Sequence, residues 1–223
     1  LMECAKPGFI AVRQEGRRFV NEADSYHDYM CALFNATGPG ETPTSWLICD
    51  HRAQRRYGLG WSRPFPFPTA HYIRSGYLFK APTLTDLAHQ CGIDAQQLNA
   101  TVNAFNLDAE RGHDPVFQRG ESLYNKAQGE PLHGPNPSLG SLRDAPFYAI
   151  KLVPGSLGTF AGLKTDASAR ALDKQGVAIP GLFAVGNDMN SIMNGYYPSG
   201  GITLGPGMTF GYVAARVLAG GGG

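Results

Sequence analysis

Runs of apolar residues predict the strands of this chain. Residues 45–50, with four apolar residues at 46–49, are typical of a buried strand, and residues 147–153 alternate as a strand does. Residues 181–186 are apolar throughout, which is typical of a strand covered on both faces of a parallel sheet. Four shorter patterns predict strands at residues 9–12, 17–20 (after a turn at 14–16), 77–80 and 169–172.

Helical periodicity is clearest in the middle of the chain. Thr83 is a predicted N-cap and Gly92 a predicted helix end, and Asp94 caps a second, longer helix that runs to about residue 110. Residues 26–33 and 203–218 predict two further helices. Apolar residues of the longer central helix recur at helical spacing, namely Leu98, Val102 and Phe105.

The stretch NGYYPSGGITLGPGMTFGYVAARVLAG, residues 194–220, places many glycines at the start of the last predicted helix. Glycine inside a helix is destabilising by roughly 0.5–1 kcal/mol relative to alanine. Two interpretations fit this pattern: either the glycines allow tight packing of helix on strand, or they leave the backbone open to a flat ligand. In the second case the free N–H groups at the helix start would face the ligand.

Composition limits the possible partners. The chain is 43% hydrophobic and 17% charged, as ordinary soluble proteins are, and its net charge of +1 gives no indication of a nucleic acid or an anionic membrane as partner. We interpret the basic stretch at residues 51–56 as a solvated surface. No apolar run reaches the roughly 18 residues of a membrane span. The six histidines lack ligand spacing, and the scattered cysteines favour a reducing, cytoplasmic setting without metal: Cys4, Cys31, Cys49 and Cys91.

Several motifs resemble the superfamily of flavin-dependent fumarate reductases and 3-ketosteroid dehydrogenases. The longest is GLFAVGNDMNSIMNGYYPSGGITLGPGMTFGYVAA, residues 181–215. Five motifs that precede it in the chain occur in the same order as in the superfamily: GRRFVNEADSYHDY, VNAFNLDAERGHDPVFQRG, PNPSLG, APFYAIKL and GTFAGLKTD. The similarity covers nearly all of the chain.

The resemblance implies a mixed α+β and α/β architecture with FAD as the cofactor. Residues 1–19 would form junction strands, residues 20–145 an inserted α+β cap, and residues 146–223 the C-terminal part of a glutathione-reductase-like FAD-binding domain. The GxGxxG turn that holds the pyrophosphate is not in this sequence, and residues 1–5 resemble neither an initiator region nor a signal peptide. We therefore expect the chain to be a C-terminal portion. Its partner would be the N-terminal half of the same protein, and alone it would bind FAD poorly.

The resemblance also implies catalytic residues. The tyrosine and glycine of a YPxxG motif match Tyr197 and Gly201, which in 3-ketosteroid dehydrogenases bind the C3 carbonyl. The tyrosine of the NExxxY segment matches Tyr26, the expected proton acceptor, although His27 and Tyr29 lie beside it. Hydride would pass to flavin N5. The substrate would be a ketosteroid or a comparable hydrophobic cyclic ketone.

Cofactor contacts follow from the same resemblance. Asn187 stands where fumarate reductases have a glutamate that holds ribityl hydroxyls, and an amide can still bond to a hydroxyl. Instead of binding the cofactor, Asn187 and Asp188 could have a purely structural role in a turn or cap. The full predicted set is Gly186, Asn187, Asp188, Gly200, Ile202, Thr203 and Leu204.

Two other functions remain open at this point. A fumarate-reductase-like enzyme would clamp a dicarboxylate with arginines, yet no arginine lies between Asp188 and Gly211. Such a clamp would have to use residues from elsewhere in the chain, such as Arg63, Arg74 or Arg119. The chain could also act only as a folding or interaction module.

Aromatic residues of the cap would either line an apolar substrate pocket or form the core, namely Trp46, Tyr57, Trp61, Phe65, Phe67 and Tyr72.

Overall fold

The computed structural model describes residues 2–220, so Leu1 and the glycines at 221–223 lie outside the described residues. The fold is mixed α/β, and the chain divides into two compact units, residues 1–154 and 155–223. None of the helices in the described residues is both long and apolar enough to cross a membrane.

A four-stranded antiparallel sheet forms the centre of the first unit. Its strands are β1 (Phe9–Val12), β2 (Ser45–Cys49), β3 (Phe79–Ala81) and β4 (Phe147–Leu152), in the order β1-β2-β4-β3. Ile10 pairs with Ile48, which in turn pairs with Ala149. All residues of β1 and β2 are buried. The sheet is therefore covered on both faces, which explains the continuous apolar runs.

Among its described residues, the first unit also contains six α-helices. They are α1 (Tyr26–Ala36), α2 (His51–Tyr57), α3 (Ala70–Arg74), α4 (Leu84–Cys91), α5 (Ala95–Arg111) and α6 (Leu123–Gln128), and a 3-10 helix covers Met2–Ala5. One face of the sheet packs against α4 and α5 through Leu87, Leu98, Val102 and Phe105. The opposite face packs against Tyr29, Leu59 and Leu78.

The predicted helix pair is confirmed. The hydroxyl of Thr83 accepts a hydrogen bond from Asp86 N, and Gly92 ends α4 in the left-handed conformation. Asp94 caps α5 by accepting a hydrogen bond from Gln97 N. Caps and turn residues act locally, so their signal in the sequence is direct.

The second unit contains a hairpin and one long helix. Its elements are β5 (Arg170–Leu172), β6 (Ala178–Phe183), a 3-10 helix at Gly186–Asp188 and α7 (Leu204–Leu218). Strands β5 and β6 pair antiparallel through a turn closed by the bond from Gly176 N to Asp173 O at 3.1 Å.

One predicted strand is absent from the described residues, and another was predicted with the wrong bounds, pairing and burial. The strand predicted at residues 181–186 is β6 at 178–183; it is antiparallel and mostly exposed, with Leu182 41% exposed. The apolar run shows which residues are available for burial, but not what covers them. The strand predicted at residues 17–20 does not form. Within that range, Arg18 makes an isolated antiparallel bridge with Val12.

Candidate active site

A glycine-lined contact organises the second unit around residues 186–190. The backbone N–H of Leu163 donates to Asp188 O at 2.9 Å, and that of Asn190 donates to Leu163 O at 2.8 Å. An added Cβ on Gly162 would lie 2.5 Å from Asp188 O, so only glycine permits this close approach. Packing against the end of the Gly186–Asp188 helix thus explains the glycine at position 162 of the motif GTFAGLKTD.

Tyr197 lies against the same segment. It is half-buried, and the centre of its ring is 6.5 Å from that of Phe160, whose backbone O accepts from Ser191 N at 3.1 Å. Its neighbour Tyr196 is 69% exposed. Phe160 therefore joins the candidate site, although the sequence motif that contains it assigned it no role.

The glycines around the start of α7 divide into two groups. An added Cβ on Gly186 would lie 3.4 Å from Gly207 Cα, so these two glycines bring the 3-10 helix and α7 together. An added Cβ on Gly200, Gly201 or Gly205 would meet no atom within 4 Å. Tight packing therefore accounts for the first group, whereas the second leaves the backbone open.

Backbone donors are available at this open helix start. Within the described part of the chain, no hydrogen bond is formed by the N–H groups of Ile202, Thr203 and Leu204. Thr203 is the N-cap residue of α7 but makes no side-chain capping bond. Unpaired N–H groups at a helix start carry partial positive charge and favour an electron-rich ligand atom.

The side chains of Asn187 and Asp188 are exposed and cap nothing. The Gly186–Asp188 helix has no side-chain capping bond, and neither side chain forms a hydrogen bond with the described residues. Their polar groups are therefore available to a ligand. The capping alternative has no support in this geometry.

Tyr26 is the first residue of α1, in the first unit. The Ser25 hydroxyl caps this helix by accepting a hydrogen bond from Asp28 N at 3.1 Å and donates to Asp28 Oδ2 at 2.7 Å. Tyr26 itself is half-buried. This cap provides a partner for a backbone N–H group at the start of α1 that has no partner within the helix.

The structure distinguishes Tyr26 from its neighbours. Tyr29 is 2% exposed and its hydroxyl lies 2.9 Å from Ser45 Oγ inside the core. Burial raises the pKa of Tyr29 well above its usual value, which is unsuited to a base. The His27 Nε2 atom lies 3.6 Å from Cys31 Sγ.

A buried charge cluster lies directly before Tyr26. Glu22 Oε2 contacts Arg18 Nη2 at 2.6 Å and Arg119 Nη1 at 2.9 Å, and Arg18 also contacts Asp114 at 2.8 Å. Burial alone would raise the pKa of Glu22, but the two guanidinium charges and the hydrogen bonds from Arg18 and Ala11 N outweigh burial and lower this pKa to about 2. Glu22 is therefore an anion at neutral pH and not a proton donor.

Arg119 cannot serve as a substrate clamp. Its side chain is fully buried, and its Nη atoms donate to Glu22 and to the carbonyl oxygens of Phe9, Cys4 and Lys6. All these partners belong to the chain itself. A dicarboxylate site that uses Arg119 is thereby removed from the alternatives.

The two units contain different parts of the predicted site. Tyr197, Gly201 and the predicted cofactor residues lie in the second unit, around the Gly186–Asp188 helix and the start of α7. Tyr26 lies in the first unit. The meeting of Tyr26 with Tyr197 in one pocket stays a prediction, as do the roles of all these residues.

Comparison with protein families gives a match over most of the chain. The family model described as "FAD binding domain" matches residues 1–204.

Two curated relatives that resemble most of the chain are dehydrogenases whose names specify a cyclic ketone. The chain is 43% identical to a 4-oxocyclohex-2-ene-1-carboxylate 5-dehydrogenase of Sinomonas cyclohexanicum, over 96% of this chain and 36% of that protein. It is 42% identical to a 3-oxosteroid 1-dehydrogenase of Mycolicibacterium smegmatis, over 98% of this chain and 39% of that protein. The chain thus spans less than half the length of these relatives.

A solved structure shares the fold of almost the whole chain. It is a 3-ketosteroid delta1-dehydrogenase from Sterolibacterium denitrificans in complex with 1,4-androstadiene-3,17-dione. The TM-score is 0.92 at 35% sequence identity, and the match covers 99% of this chain and 40% of that one. The resemblance to the 3-ketosteroid dehydrogenase branch is confirmed.

Proposed function

We propose that this chain, which belongs to the FAD binding domain family, is the C-terminal portion of an FAD-dependent dehydrogenase that desaturates a ketosteroid or a comparable cyclic ketone. One observation carries the proposal: Gly200, Gly201 and Gly205 leave open space beside the unpaired N–H groups at the start of α7. In this proposal a planar, electron-rich ring occupies that space, which a side chain would narrow. Backbone amides at a helix start suit such a ring.

Tyr197 and Gly201 polarise the ketone in this proposal. A phenol O–H and a backbone N–H directed at one carbonyl oxygen stabilise the negative charge that develops there. The carbon next to the carbonyl then becomes more acidic. Gly201 has φ of +101°, a conformation that side chains disfavour, so glycine suits this position for its backbone as well as for its open space.

Tyr26 takes the proton from the acidified carbon. A tyrosine acts as base only if its surroundings stabilise the phenolate, because its reference pKa is about 10. Bound FAD supplies the acceptor for the hydride that leaves the adjacent carbon. Loss of one proton and one hydride leaves a C=C bond, so atoms and electrons balance.

The arrangement of domains is part of the same proposal. Residues 1–19 would join the domains, residues 20–145 would form the cap, and residues 146–223 would complete an FAD-binding domain of glutathione-reductase-like type. The N-terminal half of the protein would supply the remaining FAD contacts, which accords with the greater length of the relatives. We also propose a cytoplasmic location, because all four cysteines are free.

A second candidate is the dehydrogenation of a small cyclic keto acid. The similarity to the Sinomonas cyclohexanicum enzyme favours it. Such a substrate needs a cation for its carboxylate, yet residues 186–211 contain no lysine or arginine. The cation would have to come from elsewhere in the full-length protein, and for this reason the neutral ketosteroid is the first choice.

Substrate assays on the full-length, FAD-loaded protein test the proposal. We expect a 3-ketosteroid to reduce an artificial electron acceptor with higher kcat/KM than 4-oxocyclohexanecarboxylate, because the site lacks a nearby cation. Fumarate should not be reduced in the presence of a reduced dye. A preference for the keto acid would select the second candidate, and fumarate reduction would overturn both.

Substitution of Gly205 by alanine tests where the flavin lies. The added methyl group meets no atom in the structure, and alanine favours helix, so the substitution should not destabilise the chain. If the flavin lies against this turn, the methyl group overpacks the site by about 1–3 kcal/mol and raises the Kd for FAD roughly 5- to 150-fold. Flavin fluorescence titration of the full-length apoprotein measures this change.

Gly211→Ala is the matched control. Gly211 lies further along α7, and an added Cβ there also meets no atom within 4 Å. The control should keep the parental affinity for FAD. Equal FAD affinities of the parent and both variants would mean that the open helix start does not hold the flavin.

A further inference from the structure

A proline-rich loop in the first unit exposes three large aromatic side chains. In this aromatic–arginine loop, residues 59–68, Trp61 is 77% exposed, Phe65 63% and Phe67 53%. The other tryptophan, Trp46, is 8% exposed and packs edge-to-face on Phe79 in the core. The cap aromatics that the sequence grouped together thus have different environments.

Backbone hydrogen bonds hold the loop in place. Leu59 and Ser62 are buried and bonded to each other, with Leu59 N to Ser62 O at 2.8 Å and Ser62 N to Leu59 O at 3.0 Å. The N–H of Trp61 donates to the Tyr77 hydroxyl at 3.0 Å, and that of Phe65 donates to Arg55 O at 2.9 Å. The exposed rings therefore project from a fixed backbone.

Arginines accompany these rings. The guanidinium carbon of Arg55 lies 4.0 Å from the centre of the Phe65 ring, and that of Arg63 lies 5.2 Å from the Phe67 ring. Such stacking keeps a cation beside each ring. Neither guanidinium is paired with a carboxylate in the described residues.

The charge around the loop is strongly asymmetric. No aspartate or glutamate occurs from residue 51 to residue 85, although the whole chain has a net charge of only +1. Arg52 and Arg56 pair with acids from outside this segment, Asp144 and Glu130, and Glu3 accepts the N–H of Gly60. The segment's basic residues are Arg52, Arg55, Arg56, Arg63, Arg74 and Lys80.

We propose that the aromatic–arginine loop is a docking surface for an anionic lipid bilayer. Trp and Phe side chains enter the interfacial region while adjacent arginines bind acidic headgroups. Pro64, Pro66 and Pro68 remove three backbone N–H donors from the loop, which lowers the cost of placing this backbone near lipid. A nucleic acid fits less well, since Arg55 already covers a face of Phe65 on which a base would stack.

Vesicle sedimentation of the full-length protein tests this surface. The protein should sediment with vesicles of phosphatidylcholine mixed with phosphatidylglycerol and much less with phosphatidylcholine alone. Arg55→Gln and Arg63→Gln should each weaken partitioning about fivefold, which corresponds to about 1 kcal/mol per basic residue at a membrane surface. Trp61→Ser and Phe65→Ser should weaken it on both kinds of vesicle.

Matched controls lie outside the loop. Leu132 is 91% exposed, and Arg111 is exposed at the end of α5, so Leu132→Ser and Arg111→Gln change surface chemistry equally and should leave partitioning unaltered. Absence of sedimentation with anionic vesicles would overturn the proposal, as would equal losses in the controls. It would also be overturned if the loop variants abolished self-association or oligonucleotide binding but not vesicle binding. Vesicle binding and substrate turnover are separate measurements, because turnover is assayed in detergent solution without vesicles. Failure of the membrane proposal can therefore be distinguished from failure of the proposed function.

Discussion

Replacing Tyr26 by phenylalanine in the full-length, FAD-loaded enzyme should lower kcat for desaturation about 10²- to 10⁴-fold, the usual contribution of a positioned general base. The substitution removes one hydroxyl and keeps the ring. The capped start of α1 should therefore remain intact, since Ser25 and Asp28 form it. KM for the ketone and the visible spectrum of bound FAD should change little. Stopped-flow reduction of the flavin by substrate measures the step directly.

Two neighbours supply the controls for this prediction. Tyr29→Phe removes a buried hydroxyl bonded to Ser45, so it should cost about 1 kcal/mol of stability and leave turnover near the parental value. His27→Gln should also retain turnover. If His27→Gln lost activity while Tyr26→Phe kept it, the base would be the histidine. A second readout is exchange of the substrate's α-hydrogen with deuterated water, which should stop in Tyr26→Phe alone.

Local signals in the sequence predicted much of the fold. Thr83 and Asp94 are the caps that the pattern indicated, and the helix predicted from about residue 203 is α7 from residue 204. A cap is decided by a few neighbouring residues, so the chain needs no distant partner to reveal it. Strands need partners. For this reason the pattern identified β6 as apolar but not its antiparallel pairing or its exposure.

The candidate site was predictable only in part. The sequence does not show whether a glycine faces a neighbour or open space. In the structure Gly207 lies against Gly186, whereas Gly205 faces open space. Phe160 was missed because its contact with Tyr197 joins segments far apart in the chain. Averaging charge over the whole chain likewise hid the acid-free segment at residues 51–85.

Arg119 was misjudged for a related physical reason. A sequence lists an arginine without its depth, and arginines are mostly exposed unless paired. In the fold, residues 4, 6 and 9 present carbonyl oxygens, and Glu22 presents a carboxylate, so that one buried guanidinium satisfies four acceptors. The side chain that was a possible substrate clamp thus binds the start of the chain to the segment before Tyr26.

Replacing Arg119 by methionine should therefore destabilise the first unit by about 3–5 kcal/mol, the usual cost of removing one partner from a buried ion pair. The carbonyl oxygens of residues 4, 6 and 9 would lose this donor at once, and Glu22 would keep only Arg18 as a charged partner. Arg143→Met is the matched control, because Arg143 contacts Glu110 at 2.6 Å with both side chains about half exposed. Exposed pairs contribute about 0–1 kcal/mol. Urea unfolding of the chain, followed by circular dichroism, compares the two variants. Equal losses would show that the buried cluster contributes no more than a surface pair.

Acid titration tests the same cluster through Glu22. Its pKa is lowered from about 4.5 to about 2 in the folded protein, so its contribution of about 3 kcal/mol is complete above pH 4.5 and is lost as the pH falls toward 2. Glu22→Gln removes this titration. Burial raises the pKa values of Asp24 and Asp50, which makes the protein more stable on acidification and opposes the trend. The difference between parent and Glu22→Gln cancels those two groups. That difference should shrink steadily between pH 4.5 and pH 2, and a difference independent of pH would mean that the carboxylate charge of Glu22 does not hold the cluster together.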